Sequence, residues 1–292
     1  MNVGYVLPQW EFGEATQQIV EYAVEAEQAG WDGVFLADHL VFPPGDDLKA
    51  RPEMPDYQGF SDPWMTLAGI AVETSSLTLA SWVTPIPRRQ PWQVARDLAT
   101  LDQLSDGRVM LGTGLGRGTD YKPFGREYNL SALGDRYDEA LDIIHGLWTG
   151  ERFSYDGEYY QLDGARVLPT PVQRPRIPIV IGGLWPHKPP IDRGARWDGI
   201  IPHYPGDGIH PDEPVEGVAP EDEVRDMIDY YTSQTDNPAE ILLPENPPHR
   251  GGEWLDLCVE LGATWVYRIP RNHEGEWDMN LDRIREGPPE VA

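Results

Sequence analysis

Four short stretches of this chain carry side chains able to do chemistry, and each follows an apolar run. Asp38-His39 closes the first. A histidine donates, accepts or transfers a proton near neutral pH, and an adjacent carboxylate can fix its tautomer, which makes the pair an acid–base candidate. Ser81-Trp82-Val83-Thr84-Pro85 closes the second. Ser81 and Thr84 offer hydroxyls to a polar ring, and Trp82 offers a surface to pack on it. Thr113-Gly114-Leu115-Gly116 closes the third, and Gly182-Gly183 the fourth. Backbone without side chains lets a flat or anionic group approach, and amides at such a turn suit a phosphate. Each stretch also has a structural reading: a core histidine, a core tryptophan with turn residues, or plain flexible turns. Their shared position at strand ends is what makes them a candidate site.

Other chemistries lack their motifs. The chain has no G-x-x-x-x-G-K-[ST], no G-x-S-x-G and no H-E-x-x-H, and Gly112, Gly114, Gly116 and Gly118 do not compose G-x-G-x-x-G. The seven histidines show no metal-ligand spacing, so no metal is assigned. Arg88-Arg89 reads as a solvated turn, with a phosphate clamp as the alternative. Arg268 and Arg271 follow the last strand, where they could meet an anionic group. Cys258 falls in an apolar helical pattern and reads as core packing.

Two apolar runs, Leu77–Val83 and Arg108–Thr113, flank Pro91–Leu104, whose Trp92, Ala95, Leu98, Ala99, Leu101 and Leu104 recur at helical period. A single helix as the whole crossover makes the two strands parallel and puts both glycine- and hydroxyl-bearing ends on one rim. Further strands are expected at Val3–Leu7, Gly33–Ala37, Pro178–Ile181, Gly199–Ile201, Ala239–Leu243 and Thr264–Ile269. Helices are expected over Glu14–Gly30, Pro63–Ser75, Ser131–Thr149, Ile191–Arg196, Glu221–Ser233, Gly252–Leu261 and Asn280–Arg285. Val41–Phe60 is a long Pro-rich loop placed like a substrate cover, and Arg152–Leu168 reads as a small hairpin. The pattern predicts an α/β fold: one (β/α)8 TIM barrel over residues 1–292, with an insertion between strands four and five at about 150–177. An open doubly wound sheet is the alternative.

The net charge of -26, from 49 acidic and 23 basic residues of which three are lysine, is spread over the whole chain. It excludes the basic face that nucleic acid needs and gives no support to an anionic membrane surface. Scattered acid with scarce lysine reads as salt adaptation, where screening relieves self-repulsion. No signal peptide and no bilayer-spanning segment is legible, so a cytoplasmic location is expected.

Five segments resemble the luciferase-like monooxygenase superfamily of flavin- and coenzyme F420-dependent oxidoreductases. They are DGVFLADH (Asp32–His39), TPIPRRQPWQVARDLATLDQLSDGRVMLGTGLG (Thr84–Gly116), YKPFG (Tyr121–Gly125), LWTGERFSYDGEYYQL (Leu147–Leu162) and PTPVQRPRIPIVIGG (Pro169–Gly183), with ARWDGIIP (Ala195–Pro202) continuing the likeness. The resemblance implies a TIM barrel with a flavin or deazaflavin ring at its C-terminal mouth. Asp38 and His39 would lie beside the ring as the catalytic pair. Ser81-Trp82 matches the position of a non-prolyl cis peptide that backs the ring, and Thr84 follows it. Thr113, Gly114, Gly182 and Gly183 match positions that contact the cofactor's tail and phosphate. The implied cofactor is coenzyme F420 or FMN, and the Asp–His pair with Ser81-Trp82-x-Thr84-Pro85 looks more like the F420 branch. The implied reaction is hydride transfer or monooxygenation of a small organic substrate, by a homodimer, with a flavin reductase as a further partner. One departure stands out: sugar-phosphate dehydrogenases of the F420 branch carry a glutamate where this chain has Leu115. A non-catalytic flavin-binding barrel, for storage or sensing, is therefore the alternative.

Overall fold

The computed structural model describes residues 1–7, 9, 16–42, 58–204, 220–236, 240–245, 251–269 and 281–289. Eight strands compose the framework: β1 (Asn2–Val6), β2 (Gly33–Leu36), β3 (Thr78–Ser81), β4 (Val109–Gly114), β5 (Ile179–Leu184), β6 (Gly199–His203), β7 (Glu240–Pro244) and β8 (Trp265–Arg268). Every adjacent pair is parallel, including β1 with β8 and β4 with β5, where Ile179 lies opposite Leu111. The sheet therefore closes on itself. An open doubly wound sheet is ruled out by those two seams.

Among the described residues, eight α-helices follow the strands: α1 (Thr16–Gln28), α2 (Pro63–Glu73), α3 (Pro91–Leu104), α4 (Leu130–Trp148), α5 (Lys188–Arg196), α6 (Glu221–Gln234), α7 (Gly251–Glu260) and α8 (Leu281–Arg285). Local chemistry sets their starts. Asp62 caps α2 by accepting the Met65 N–H at 3.0 Å, with Pro63 in the first turn, and Asn129 caps α4 through the Ser131 N–H at 3.1 Å. No helix among the described residues is long and apolar enough to cross a membrane.

The core has two layers. Inside the barrel, Val6, Phe35, Ala80, Trp82, Met110, Val180, Ile201, Leu242, Trp265 and Tyr267 pack together. Outside, the helices bury their apolar faces on the strands, Leu67, Ile70, Leu98 and Leu141 among them. Cys258 is buried there, and burial pushes its thiol up to about 12.

Several strand ends shift, and β6 runs two residues past the predicted Gly199–Ile201, through Pro202 to His203. The run predicted as Leu77–Val83 pairs as a strand only to Ser81, and the Trp82–Val83 peptide that follows is cis. Thr84 and Pro85 resume pairing on β4, opposite Thr113 and Gly114. β5 runs three residues past the predicted Pro178–Ile181, through Gly182 and Gly183 to Leu184, because both glycines stay in register with Ile201 and Pro202 of β6. The predicted hairpin is an antiparallel pair, Phe153–Asp156 with Gln161–Ala165, lying between α4 and β5. Glu139 of α4 pins its turn by accepting the N–H groups of Glu158, Tyr159 and Tyr160. The predicted cover over 41–60 lies mostly outside the described residues; its two ends pair, Val41 opposite Gly59.

Candidate functional site

Because all eight strands are parallel, their C-terminal ends share one mouth, and the predicted site residues meet there. His39 follows β2. Its Nδ1 lies 3.1 Å from Asp120 Oδ2. Asp120 comes from a short turn after β4, 81 residues along the chain. Its carboxylate also accepts the Leu40 N–H at 3.2 Å, Arg88 Nη1 at 3.2 Å and the Arg117 N–H at 2.9 Å. Burial pushes the Asp120 carboxyl up. The hydrogen bond and charge of His39, the Arg117 N–H and the Arg88 charge outweigh that and hold it below the usual carboxylate value.

Asp38 does something else. Its carboxylate is buried and pairs with Arg88 and, at 2.9 Å, with Arg89 Nη2, which also reaches Asp62 at 3.0 Å. The expectation that Asp38 fixes the tautomer of its neighbour is thus corrected: successive residues point to opposite sides of an extended segment, so Asp38 faces the arginines while His39 faces Asp120. Arg88-Arg89 is corrected too. With side chains 7% and 25% exposed, the two arginines are the cationic half of a buried network, not a solvated turn.

Trp82 stands across the mouth. Its ring meets His203 of β6 edge-on at 5.7 Å and Tyr267 of β8 at 5.6 Å. The indole N–H of Trp82 and the hydroxyl of Thr84 are buried and have no hydrogen-bond partner among the described residues. Buried polar atoms are satisfied as a rule, so these two make the mouth a candidate ligand site. The cis bond itself is one residue beyond its expected place: Trp82–Val83, not Ser81–Trp82.

The sequence model for luciferase-like monooxygenases matches residues 1–207. The chain belongs to the luciferase-like monooxygenase family. It is 34% identical over 188 residues to the F420-dependent glucose-6-phosphate dehydrogenase of Nakamurella multipartita, covering 64% of this chain and 51% of that one. The chain spans about half the length of curated relatives it matches. Among solved structures, the coenzyme F420-dependent tetrahydromethanopterin reductase of Methanopyrus kandleri superposes with a TM-score of 0.70 at 14% identity, covering 98% of this chain and 96% of that one. An oxygenating constituent of 3,6-diketocamphane monooxygenase of Pseudomonas putida, in complex with FMN, superposes with a TM-score of 0.62 at 17% identity, covering 89% and 74%. At those identities both show the shared barrel.

In this luciferase-like barrel the remaining predicted residues divide by what surrounds them. Ser81 donates its hydroxyl to the Gly112 carbonyl at 2.6 Å. Thr113 donates to the Thr84 carbonyl at 2.9 Å and accepts from Tyr137 at 3.2 Å. Both hydroxyl protons serve the fold. Gly114 and Gly182 flank the Val83 side chain, and Gly183 faces the Pro190 ring at the start of α5. Protein side chains therefore occupy the Cβ direction of all three glycines, while Gly182 and Gly183 stay only partly buried. Arg268 is paired with Glu245 at 2.9 Å and stacks over Trp31, so its charge is already matched. Leu115 packs against the outer core, and its carbonyl accepts from Tyr121 at 2.7 Å.

The residues that sequence reasoning missed are Asp120, Arg88, His203 and Tyr267. The signal for Arg88 was present: a buried aspartate after one strand and two arginines after the neighbouring strand face each other once the strands are parallel. Asp120 gave no such signal, because its turn returns to β2 only through the tertiary fold.

Proposed function

We propose that this protein is an oxidoreductase that works with a bound deazaflavin, coenzyme F420, on a small organic substrate, FMN being the alternative cofactor. One observation carries the reading: at the barrel mouth a buried indole N–H and a buried hydroxyl, Trp82 Nε1 and Thr84 Oγ1, lack partners among the described residues. A heteroaromatic ring edged with carbonyl and ring-nitrogen acceptors fits such a donor set. The named activities of the F420-dependent relatives support the cofactor class.

When bound, the cofactor supplies the hydride. The protein supplies the rest. Trp82 and Thr84 hold and orient the ring by hydrogen bonding. The Trp82, His203 and Tyr267 rings keep water from its apolar part. His39, 17% exposed and braced by Asp120, is the group that gives or takes the proton that must accompany hydride transfer to or from an oxygen-bearing carbon. Sugar phosphate is not carried over as the substrate, because Leu115 stands where those dehydrogenases place an acid.

The experiment is a fluorescence titration of the purified protein with coenzyme F420 and, separately, FMN. Saturable F420 binding, weakened by Trp82→Phe and by Thr84→Val, is expected. Binding of FMN alone overturns the F420 assignment, and binding of neither overturns the function.

A further inference from the structure

The Asp120 carboxylate is saturated with donors. Oδ1 accepts the Leu40 N–H and Arg88 Nη1, both at 3.2 Å. Oδ2 accepts the Arg117 N–H at 2.9 Å, and His39 Nδ1 lies 3.1 Å from the same oxygen. An ionised carboxylate offers about four lone-pair directions and no proton. Two of its partners are backbone amides and one is a guanidinium, none of which can accept. Arg88 bridges from Asp120 to Asp38 with a side chain only 7% exposed, which holds the Asp120 carboxylate in place and favours its ionised form. Asp120 therefore cannot donate to the imidazole. The hydrogen bond at Nδ1 requires that the imidazole be the donor.

We infer that Asp120 is the positioning residue for His39: it locks the neutral imidazole as the Nδ1–H tautomer and makes Nε2 the nitrogen that exchanges a proton with substrate. The role rests on the oxidoreductase reading only for the identity of that substrate. The tautomer follows from the donor count alone. An ionised acceptor on Nδ1 also keeps the ring from turning over, since a flip would set a carbon edge against the carboxylate.

The group can be examined without cofactor or turnover. The full chain is labelled with 15N-histidine and its two-bond 1H–15N correlations are recorded at mildly alkaline pH. The His39 pattern is assigned by its disappearance in His39→Gln. The expected wild-type pattern has a protonated, pyrrole-type Nδ1 and a pyridine-type Nε2. In Asp120→Ala the pattern moves toward the Nε2–H form that free imidazole prefers, and in Asp120→Glu, which restores a carboxylate, it returns toward wild type. An Nε2–H pattern in the wild type overturns the inference, and so does a pattern unchanged in Asp120→Ala. If the variants fail to fold, the wild-type spectrum decides by itself. Failure to bind F420 or FMN would remove the proposed function and leave this result standing.

Discussion

Gly182 on β5 gives way to Val83: a β-carbon on the glycine would come within 2.9 Å of Val83 Cγ1. Gly114, on β4, leaves 3.2 Å to Cγ2 on the other side. The residue after the cis peptide is thus seated between two strands whose side chains have been deleted to admit it. Gly182→Ala is expected to lower stability by about 1–3 kcal/mol through overpacking. Combined with Val83→Ala it should cost less than the sum of the two single changes, with a coupling of about 1 kcal/mol. Urea unfolding of the four proteins measures the cycle; strict additivity would contradict the seating.

Replacement of His39 by Asn is expected to lower turnover about 10²-fold while leaving the cofactor dissociation constant within about threefold of wild type. Steady-state rates and fluorescence titration separate the two quantities. Unchanged turnover would remove His39 from the mechanism.

Asp120 gives the fold an acid-labile contribution. Its carboxyl is held below the ordinary value in the folded state. The folded protein thus binds this proton less readily than the unfolded chain. The stabilisation is complete above about pH 4, the ordinary carboxylate range, and is lost as the pH falls through the lower folded value. Unfolding free energy measured against pH should fall more steeply below about pH 4 in the wild type than in Asp120→Asn. Parallel slopes would show that Asp120 has no such linkage.

The network at Asp102 ties the return from the hairpin to α3. Its buried carboxylate accepts the N–H groups of Val172 and Gln173 at 2.6 and 3.0 Å and the Gln173 amide at 2.6 Å. Asp102→Ala strands three donors, each costing about 1 kcal/mol or more where water cannot reach it. A loss of about 3 kcal/mol is expected by denaturant unfolding, with proteolysis near Val172 accelerated. Resistance equal to wild type would argue that water replaces the carboxylate.

A net charge of -26 should make stability depend on salt. Exposed pairs such as Arg225 with Glu260 contribute little and are themselves screened, so the self-repulsion of the excess acid dominates. Going from about 0.1 M to about 1 M KCl shortens the Debye length from ~10 to ~3 Å. Thermal unfolding is expected to rise by about 3 °C or more, the shift that ~1 kcal/mol produces in a chain of this size. A flat or falling Tm would exclude salt adaptation.

The barrel was legible from sequence because its information is local. Apolar runs of a few residues, helical periods such as that of Pro91–Leu104, and the breakers after them mark β and α elements without reference to anything distant. Parallel strands with helical crossovers then place Asp38-His39, Ser81-Trp82, Thr113-Gly114 and Gly182-Gly183 at one mouth. Which atoms those residues meet there was decided by tertiary structure. His39 finds its acid 81 residues away, Asp38 finds Arg88 at a separation of 50, and the glycines make room for the Val83 and Pro190 side chains. Such partners depend on strand register and on where a loop returns. A single-residue shift reverses which side an extended residue faces, and no local pattern encodes that choice for two distant segments at once. Sequence alone determined the barrel and the rim; the fold decided that Asp120, not Asp38, holds the histidine.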